Sequence, residues 1–199
     1  MNETQGMSAP SAPLPLSRIL LAGIGGQGVL FAHQLLAAAA VTLGLDVTGA
    51  ETHGMSQRGG SVVSHLKIGN GQAPLIRQST ADFVLAFDAA EAYRNLPFVR
   101  PGGTLVVNCA RPDFPEAQVS DLLTRLGISL HVLDADGVAT KLGRASAANV
   151  ALLGLASTCP HFPVPTAVLR ETLNRVSPEH FLEMNLAAFD EGVRAAGQA

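Results

Sequence analysis

Apolar and polar residues follow one another along the first two thirds of the chain in blocks that predict alternating strands and helices. Short apolar runs bounded by glycine or proline are typical of strands buried in a parallel sheet. Such runs are found at Arg18–Ala22, Ala81–Ala89 and Thr104–Ala110. The segment SVVSHLKIG, residues 61–69, instead alternates apolar with polar residues, which predicts a strand with one wetter face. Weaker strand patterns occur at residues 45–51 and 129–135.

Helical spacing occupies the segments between these strands and most of the C-terminal third. The segment VLFAHQLLAAAAVTLG, residues 29–44, is rich in Ala and Leu, and Gly44 stands where a helix commonly ends. Further helices are predicted at residues 91–96, 115–127, 145–159, 165–176 and 178–197. Alternating strands and helices predict an α/β fold with three layers, α/β/α, around a mostly parallel, Rossmann-like sheet. The helical C-terminal part either packs on this sheet or docks on another chain.

The chain of 199 residues fits one domain of ordinary size. Residues 1–17 are rich in Pro, Ser and Ala, which predicts a flexible leader before a single domain at residues 18–199. The leader lacks the basic start and apolar segment of a secretory signal. No apolar run reaches the length of about 18 residues that a membrane span requires. We therefore expect a cytoplasmic protein that does not enter a membrane.

Composition narrows the class of protein further. A net charge of -3 and a pI near 6.0 argue against a nucleic-acid partner, which usually meets a basic surface. Hydrophobic residues make up 47% and charged residues 15% of the chain, so either a partner covers part of the surface or alanine-rich helices raise the apolar fraction. Cys109 and Cys159 are the only cysteines and are far apart, so we expect no metal site or iron–sulfur cluster held by this chain alone.

The segment GIGGQG joins the first predicted strand to the first predicted helix. Within it, Gly23, Gly25 and Gly28 form a G-x-G-x-x-G pattern that also includes Gly26 and Gln27. This pattern provides a tight turn, close approach of the backbone and free amides at the positive end of a helix, where a phosphate or carboxylate binds. The same glycines also allow a helix and a strand to pack closely without any ligand. Both interpretations stay open.

A second segment, ETHGMSQRGG, combines functional side chains with glycines in a composition that suits neither helix nor strand. Its candidate site residues are Glu51, His53, Gly54, Met55, Ser56, Gln57, Arg58, Gly59 and Gly60. The segment follows the second predicted strand, so it is expected to lie at the same edge of the sheet as GIGGQG, where α/β proteins bind ligands. Arg58 is suited to bind a carboxylate or a phosphate. Internal pairing of Arg58 with Glu51 is the structural alternative.

The segments GIGGQGVLFAHQLLAAAA and GAETHGMSQRGGSVVSHLKIG together resemble the gamma-type subunit of 2-oxoacid:ferredoxin oxidoreductases. The stretch HGMSQRGGSVVSH is most similar to the small beta subunit of indolepyruvate ferredoxin oxidoreductase. Subunits acting on pyruvate, 2-oxoglutarate or branched-chain 2-oxoacids resemble it in the glycine turn and in RGG. The resemblance extends through ADFVLAFDAAEAYRNLPFVRPGGTLVVN to NVALLGLAS.

The resemblance implies a division of labour between two subunits. The large partner binds thiamine diphosphate and carries [4Fe-4S] clusters, and the small subunit, inactive alone, completes the enzyme. The complex decarboxylates an arylpyruvate, transfers the acyl group to coenzyme A and reduces ferredoxin. The alternative is the same role in a complex for another 2-oxoacid, namely pyruvate, 2-oxoglutarate or a branched-chain one. The two segments then become candidate surfaces for substrate, coenzyme A or the partner, and no residue is assigned a catalytic role.

Two other functions fit the sequence. The first is a free-standing NAD(P)-binding dehydrogenase, in which Asp46 or Glu51 acts as the acid that binds the ribose of a dinucleotide. A catalytic Tyr-x-x-x-Lys is missing, since Tyr93 is the only tyrosine and no lysine follows it at that spacing. The second is a non-catalytic nucleotide-binding or regulatory module.

Overall fold

The computed structural model describes residues 16–53, 59–71 and 73–198. The described residues form six strands: β1 (Ser17–Ile24), β2 (Val47–His53), β3 (Ser61–Ile68), β4 (Ala81–Ala86), β5 (Val99–Asn108) and β6 (Ser129–Leu133). They also form seven α-helices: α1 (Val29–Thr42), α2 (Ala89–Asn95), α3 (Ala117–Leu126), α4 (Ala135–Lys141), α5 (Ala148–Ser157), α6 (Thr166–Val176) and α7 (Glu179–Ala195).

The strands build one sheet in the order β2-β3-β1-β4-β5-β6. Strands β1, β4, β5 and β6 are parallel to one another, whereas β3 is antiparallel to both β1 and β2. A parallel neighbour requires a crossover of about a dozen residues or more. The connection between β2 and β3, residues 54–60, is shorter, so β3 returns antiparallel beside β2. The prediction of a mostly parallel α/β sheet is confirmed.

The place of β2 differs from the one that a simple strand–helix–strand unit suggests. β1 and β2 run in the same direction, but β3 lies between them and β2 forms the edge of the sheet. Neighbouring strands are about 4.8 Å apart, so the end of β2 lies roughly 10 Å from the end of β1. The sequence does not reveal this insertion, because the alternating pattern of β3 fits either direction.

Each face of the sheet carries its own hydrophobic core. Along β1, Ile19 and Leu21 point to one face and Leu20 to the other, as the twofold period of a strand requires. The first face packs against α1, α5 and the helices that follow α5, and the second face packs against α2 and α3. Every residue of α5 is buried, so the C-terminal helices pack on the sheet of their own chain.

Two boundaries were wrong by several residues. The strand expected to begin at Thr104 begins at Val99, and the segment RPGG, residues 100–103, lies inside β5, because Val99 already pairs with Ala81 before the register shifts. The strand expected to end at Ala89 ends at Ala86, since the carboxylate of Asp88 caps α2 by accepting from the backbone N–H of Ala90. The expected helix end at Gly44 is confirmed by a φ of 73° there. Among the described helices, none has the length and apolar character needed to cross a membrane.

Candidate functional site

The glycine turn, residues 23–28, lies at the carboxyl end of β1 and is closed by one of its own side chains. The side-chain oxygen of Gln27 accepts a hydrogen bond from the backbone N–H of Ile24 at 2.8 Å, and the N–H of Gln27 donates to the carbonyl of Ile24 at 3.0 Å. Gly26 has a φ of 104° and is exposed, with open space around its Cα. Gln27 therefore has a structural role, and Gly26 leaves room above the turn.

Packing explains two of the other glycines. A Cβ at Gly23 would lie 2.8 Å from a methyl group of Val29. A Cβ at Gly28 would overlap the side-chain amide of Asn149, which donates to the carbonyl of Gly28 at 3.2 Å. Gly28 also has a φ of 79°, a conformation that favours glycine. The close-packing interpretation is thus sufficient for Gly23 and Gly28, and it does not by itself require a ligand.

The start of α1 nevertheless has the properties of an anion site. Gly28 is the N-cap residue, and within the described residues no side chain accepts a hydrogen bond from the first turn of α1. The first N–H groups of a helix lack partners inside the helix and carry the positive end of its dipole. Negatively charged groups bind there favourably.

Arg144 lies in the same cleft as this helix start. The cleft has a volume of about 290 Å³ and is lined by Gly26, Gly28, Phe31, Arg144, Asn149 and Phe181, among others; we call it the Arg144 cleft. The guanidinium carbon of Arg144 lies 3.1 Å from the centroid of the Phe181 ring, and its Nε donates to the hydroxyl of Ser146 at 2.7 Å. Its Nη1 is buried and has no hydrogen-bond partner among the described residues.

The charge of Arg144 persists in this setting. Burial lowers the pKa of Arg144, but a guanidinium remains protonated at neutral pH. A buried donor without a partner is energetically unfavourable. The cleft therefore combines the cation of Arg144 with a helix start that has unused N–H groups, both of which suit an anionic oxygen.

Asn108 and Asn149 connect the strands and helices around the glycine turn. The side-chain amide of Asn108, at the end of β5, donates to the carbonyl of Phe87 at 3.2 Å and to the carboxylate of Asp136 at 2.9 Å. Its oxygen accepts from the N–H of Ala135 at 2.9 Å. Asn108 thus joins β4, β5 and α4, while Asn149 joins α5 to the start of α1.

Sequence reasoning did not identify Arg144, Asn108 or Asn149. Asn149 is only 5% exposed and opens the otherwise apolar run NVALLGLA, so a lone polar residue in a buried helix was the available signal. Arg144 gave no signal, because an arginine in a loop is ordinarily a surface residue.

The second candidate segment is only partly described. Gly54, Met55, Ser56, Gln57 and Arg58 lie outside the described residues, and of His53 only the backbone is described, paired with Val62 in the sheet. Where the chain is described again, Gly59 has a φ of 78° and the carbonyl of Gly60 accepts from the N–H of Gly25 at 2.9 Å. The end of this segment and the glycine turn therefore lie at the same edge of the sheet, as expected from the sequence.

Glu51 and Asp46 do not occupy the position of a ribose-binding acid. In the dinucleotide-binding strand order, the second strand lies directly beside the first. Here β3 separates β2, which carries the exposed Glu51, from β1, and Asp46 precedes β2. The topology does not match the dinucleotide hypothesis.

The cysteines do not form a cluster site. Cys109 and Cys159 are buried and free, and burial raises the pKa of Cys159 to about 11, which disfavours the thiolate that binds iron. An iron–sulfur cluster requires about four such ligands. Across residues 16–53, 59–71 and 73–198, no three His, Cys, Asp or Glu side chains are grouped to hold a metal ion. A cluster therefore does not fit the residues of this chain.

Another cleft, of about 330 Å³, lies at the amino ends of the parallel strands, opposite the glycine turn. Its lining includes Asp82, Arg100 and His161. Asp82 is paired with Arg100 at 2.6 Å and accepts from the backbone N–H of Arg18 at 2.9 Å. Because these charges already satisfy each other, the cleft is better explained by structure than by ligand binding.

The chain is similar to known proteins along nearly its whole length. The family model for pyruvate ferredoxin/flavodoxin oxidoreductase matches residues 18–195. Indolepyruvate oxidoreductase subunit IorB of Thermococcus kodakarensis is 34% identical over 193 residues, which cover 89% of this chain and 95% of the relative. IorB of Pyrococcus horikoshii is 32% identical over 198 residues, with the same coverage.

Solved structures agree with these sequence matches. The gamma subunit of a keto/oxoacid ferredoxin oxidoreductase from Geobacter sulfurreducens PCA superposes with a TM-score of 0.71 at 26% identity, covering 92% of this chain and 99% of that one. A 2-oxoglutarate:ferredoxin oxidoreductase from Magnetococcus marinus shares the fold, with a TM-score of 0.75 at 24% identity, and this chain spans 31% of its length. The chain described here belongs to the pyruvate ferredoxin/flavodoxin oxidoreductase family.

Proposed function

We propose that this chain is the small subunit of an indolepyruvate:ferredoxin oxidoreductase. The observation that carries the proposal is the match to IorB over 95% of the relative's length at 34% identity. 2-Oxoglutarate synthase subunit KorC of Methanothermobacter marburgensis is 28% identical over a similar span, which favours an aromatic 2-oxoacid over a dicarboxylic one.

In this proposal the two chains divide the chemistry. The large partner supplies thiamine diphosphate and [4Fe-4S] clusters, for which this chain provides no suitable cysteine set. The complex converts the 2-oxoacid and coenzyme A to an acyl-CoA and carbon dioxide, and two electrons pass to ferredoxin. The residues of this chain bind and orient a reactant and complete the walls of the site.

The Arg144 cleft is the part of this chain that best suits coenzyme A. Coenzyme A carries phosphate groups beside an apolar arm and an aromatic base. The start of α1 and the guanidinium of Arg144 suit a phosphate, and Phe31 and Phe181 offer apolar surface beside them. In this proposal the glycine turn contributes backbone groups to the wall of the cleft and no side-chain chemistry.

The segment that ends at Gly60 is proposed to face the partner or the substrate next to the same turn. Its Arg58 stays the candidate that meets an anionic group. The hydrogen bond between Gly25 and Gly60 supports this proximity, since it brings the end of the segment onto the glycine turn.

Anaerobic co-purification tests the proposed function. This chain, tagged and expressed with the large subunit gene that accompanies it, is expected to yield a brown complex. That complex should reduce a viologen dye only with coenzyme A and indolepyruvate present, and each chain alone should be inactive. Pyruvate, 2-oxoglutarate and 2-oxoisovalerate serve as substrate controls and are expected to give lower kcat/KM. A colourless chain that does not bind the large protein would refute the proposal, and faster turnover of another 2-oxoacid would refute the substrate assignment.

A further inference from the structure

Glu91 is a buried carboxylate at the carboxyl ends of the parallel strands, where the glycine turn also lies. It lies in the first turn of α2 and is 2% exposed. One of its oxygens accepts a hydrogen bond from the hydroxyl of Ser61 at 2.7 Å, and the other is paired with the guanidinium of Arg94. Its own backbone N–H donates to the Asp88 cap at 3.3 Å. The side chain is therefore placed by a rigid helix start.

Ser61 is the link from Glu91 to the turn. It is the first residue of β3, follows Gly60 directly and stands opposite Ile24 in the sheet. Gly60 in turn accepts from the N–H of Gly25 at 2.9 Å. Two adjacent residues, Ser61 bonded to Glu91 and Gly60 bonded to the turn, thus connect α2 with the glycine turn through two hydrogen bonds.

A carboxylate is an unfavourable choice for a position that needs only packing. A buried charge is destabilising unless it is fully hydrogen-bonded, and an apolar side chain of similar volume is often at least as stable. What the carboxylate adds is direction, because a charged acceptor holds a hydroxyl at a shorter and stronger bond than a neutral one. At Glu91 the hydroxyl held in this way is that of Ser61, which directly follows the residue bonded to the glycine turn.

We infer that Glu91 is a positioning residue, which fixes Ser61 and Gly60 and thereby holds the glycine turn in place as one wall of the Arg144 cleft. It touches no reactant itself. The inference rests on the proposed function, because the cleft is the one proposed to bind a phosphate of coenzyme A.

Kinetics of the complete two-subunit complex test this inference. Glu91→Ala and Ser61→Ala are each expected to raise the KM for coenzyme A about tenfold, the effect of losing one hydrogen bond to a charged group. The KM for indolepyruvate should rise less than the KM for coenzyme A, because the cleft that the turn lines is the one assigned to coenzyme A. Glu91→Gln should restore most of the affinity, since its amide oxygen still accepts from Ser61.

Arg94→Lys provides the matched control. Arg94 contacts the other oxygen of the same carboxylate and is 62% exposed. Lysine keeps a cation beside the buried carboxylate, so the KM for coenzyme A is expected to stay within about twofold of wild type. In the double variant Glu91→Ala/Ser61→Ala, the effect on KM should equal that of one single variant, because both changes remove the same bond.

Amide hydrogen exchange of the full chain provides a second readout that does not depend on activity. Exchange of the Gly25 N–H should become about tenfold faster in Glu91→Ala and Ser61→Ala, and it should stay near wild type in Glu91→Gln. Unchanged exchange would overturn the inference even if the wild-type complex proved inactive, which would refute only the proposed function. Faster exchange or lower stability with an unchanged KM for coenzyme A in an active complex would also overturn it, by reducing Glu91 to a purely structural residue.

Discussion

At the scale of single residues, the glycines of the turn at residues 23–28 have different surroundings. Gly28 is required by its positive φ and by the side chain of Asn149, whereas Gly26 faces open space. Packing and ligand binding were alternatives in the sequence; packing accounts for Gly28, and the proposed ligand contact concerns Gly26. Their effects on stability and on ligand affinity should therefore separate by mutation.

Gly28→Ala is expected to destabilise the chain because a Cβ there meets Asn149 in addition to the strain of a left-handed backbone. Strain alone is worth about 1–2 kcal/mol. Gly44→Ala is the matched control, since Gly44 has a φ of 73° and open space around it. Urea unfolding should show a larger loss for Gly28→Ala than for Gly44→Ala, and the difference should shrink in an Asn149→Ala background. Equal losses at the two glycines would contradict the close packing of Gly28 on Asn149.

Arg144→Met should separate affinity from stability in the opposite way. Methionine keeps an unbranched side chain against Phe181 but removes all donors, including the buried Nη1 without a partner. The KM for coenzyme A is expected to rise about 10- to 100-fold, because hydrogen bonds to charged groups contribute about 1.5–3 kcal/mol. The free energy of unfolding should not fall, since an unsatisfied donor is removed. Arg170→Met is the control, as Arg170 is bound to Asp190 on the surface. A KM for coenzyme A unchanged in Arg144→Met would exclude the cleft as the phosphate site.

At the scale of elements, the closest helix contact in the C-terminal part is the crossing of α5 and α7. Gly154 of α5 and Gly192 of α7 lie where each backbone meets the other: a Cβ at Gly154 would overlap the carbonyl of Phe189, and one at Gly192 the carbonyl of Ala151. Because α5 also carries Asn149, which lines the Arg144 cleft, the packing of α7 on α5 helps to fix the position of this residue.

Gly154→Ala is therefore expected to behave as an overpacked core substitution. The helices cannot approach as closely with a methyl group between their backbones, and the expected loss is about 1–3 kcal/mol, although alanine is the better helix former. Gly197→Ala, at a site with open space, should change the free energy of unfolding by less than about 0.5 kcal/mol. Chemical denaturation of the two variants measures this difference. A neutral or stabilising Gly154→Ala would show that the crossing is looser than described.

At the scale of the whole molecule, the sequence predicted the layers, the element types and the edge of the sheet that carries the candidate site. It did so because buried strands, helical spacing and glycine stops are local signals. The position of β3 between β1 and β2 could not be predicted from the sequence, since strand order depends on contacts between distant residues. Arg144 was missed for the same reason, because the groups that surround it, Phe181 and the start of α1, are far from it in sequence.

Burial across the whole fold also sets how stability responds to pH. His33, His65 and His131 all have a pKa lowered chiefly by burial, so the folded chain favours their neutral forms. The unfolded chain then binds more protons below its own histidine pKa of about 6.5. This contribution to stability is complete above about pH 6.5 and is lost as the pH falls from that value toward the lowered pKa values.

Urea unfolding between about pH 5 and pH 8 is expected to show this loss on the acidic side. His131→Gln provides the sharpest variant, because burial lowers the pKa of His131 and its ring makes no hydrogen bond within the described residues. Removing its titration should reduce the slope of stability against pH while leaving the contributions of the other two histidines. A stability that rises on acidification through this range would contradict burial as the dominant effect. The same slope in wild type and His131→Gln would show that His131 does not contribute to the acid response of the fold.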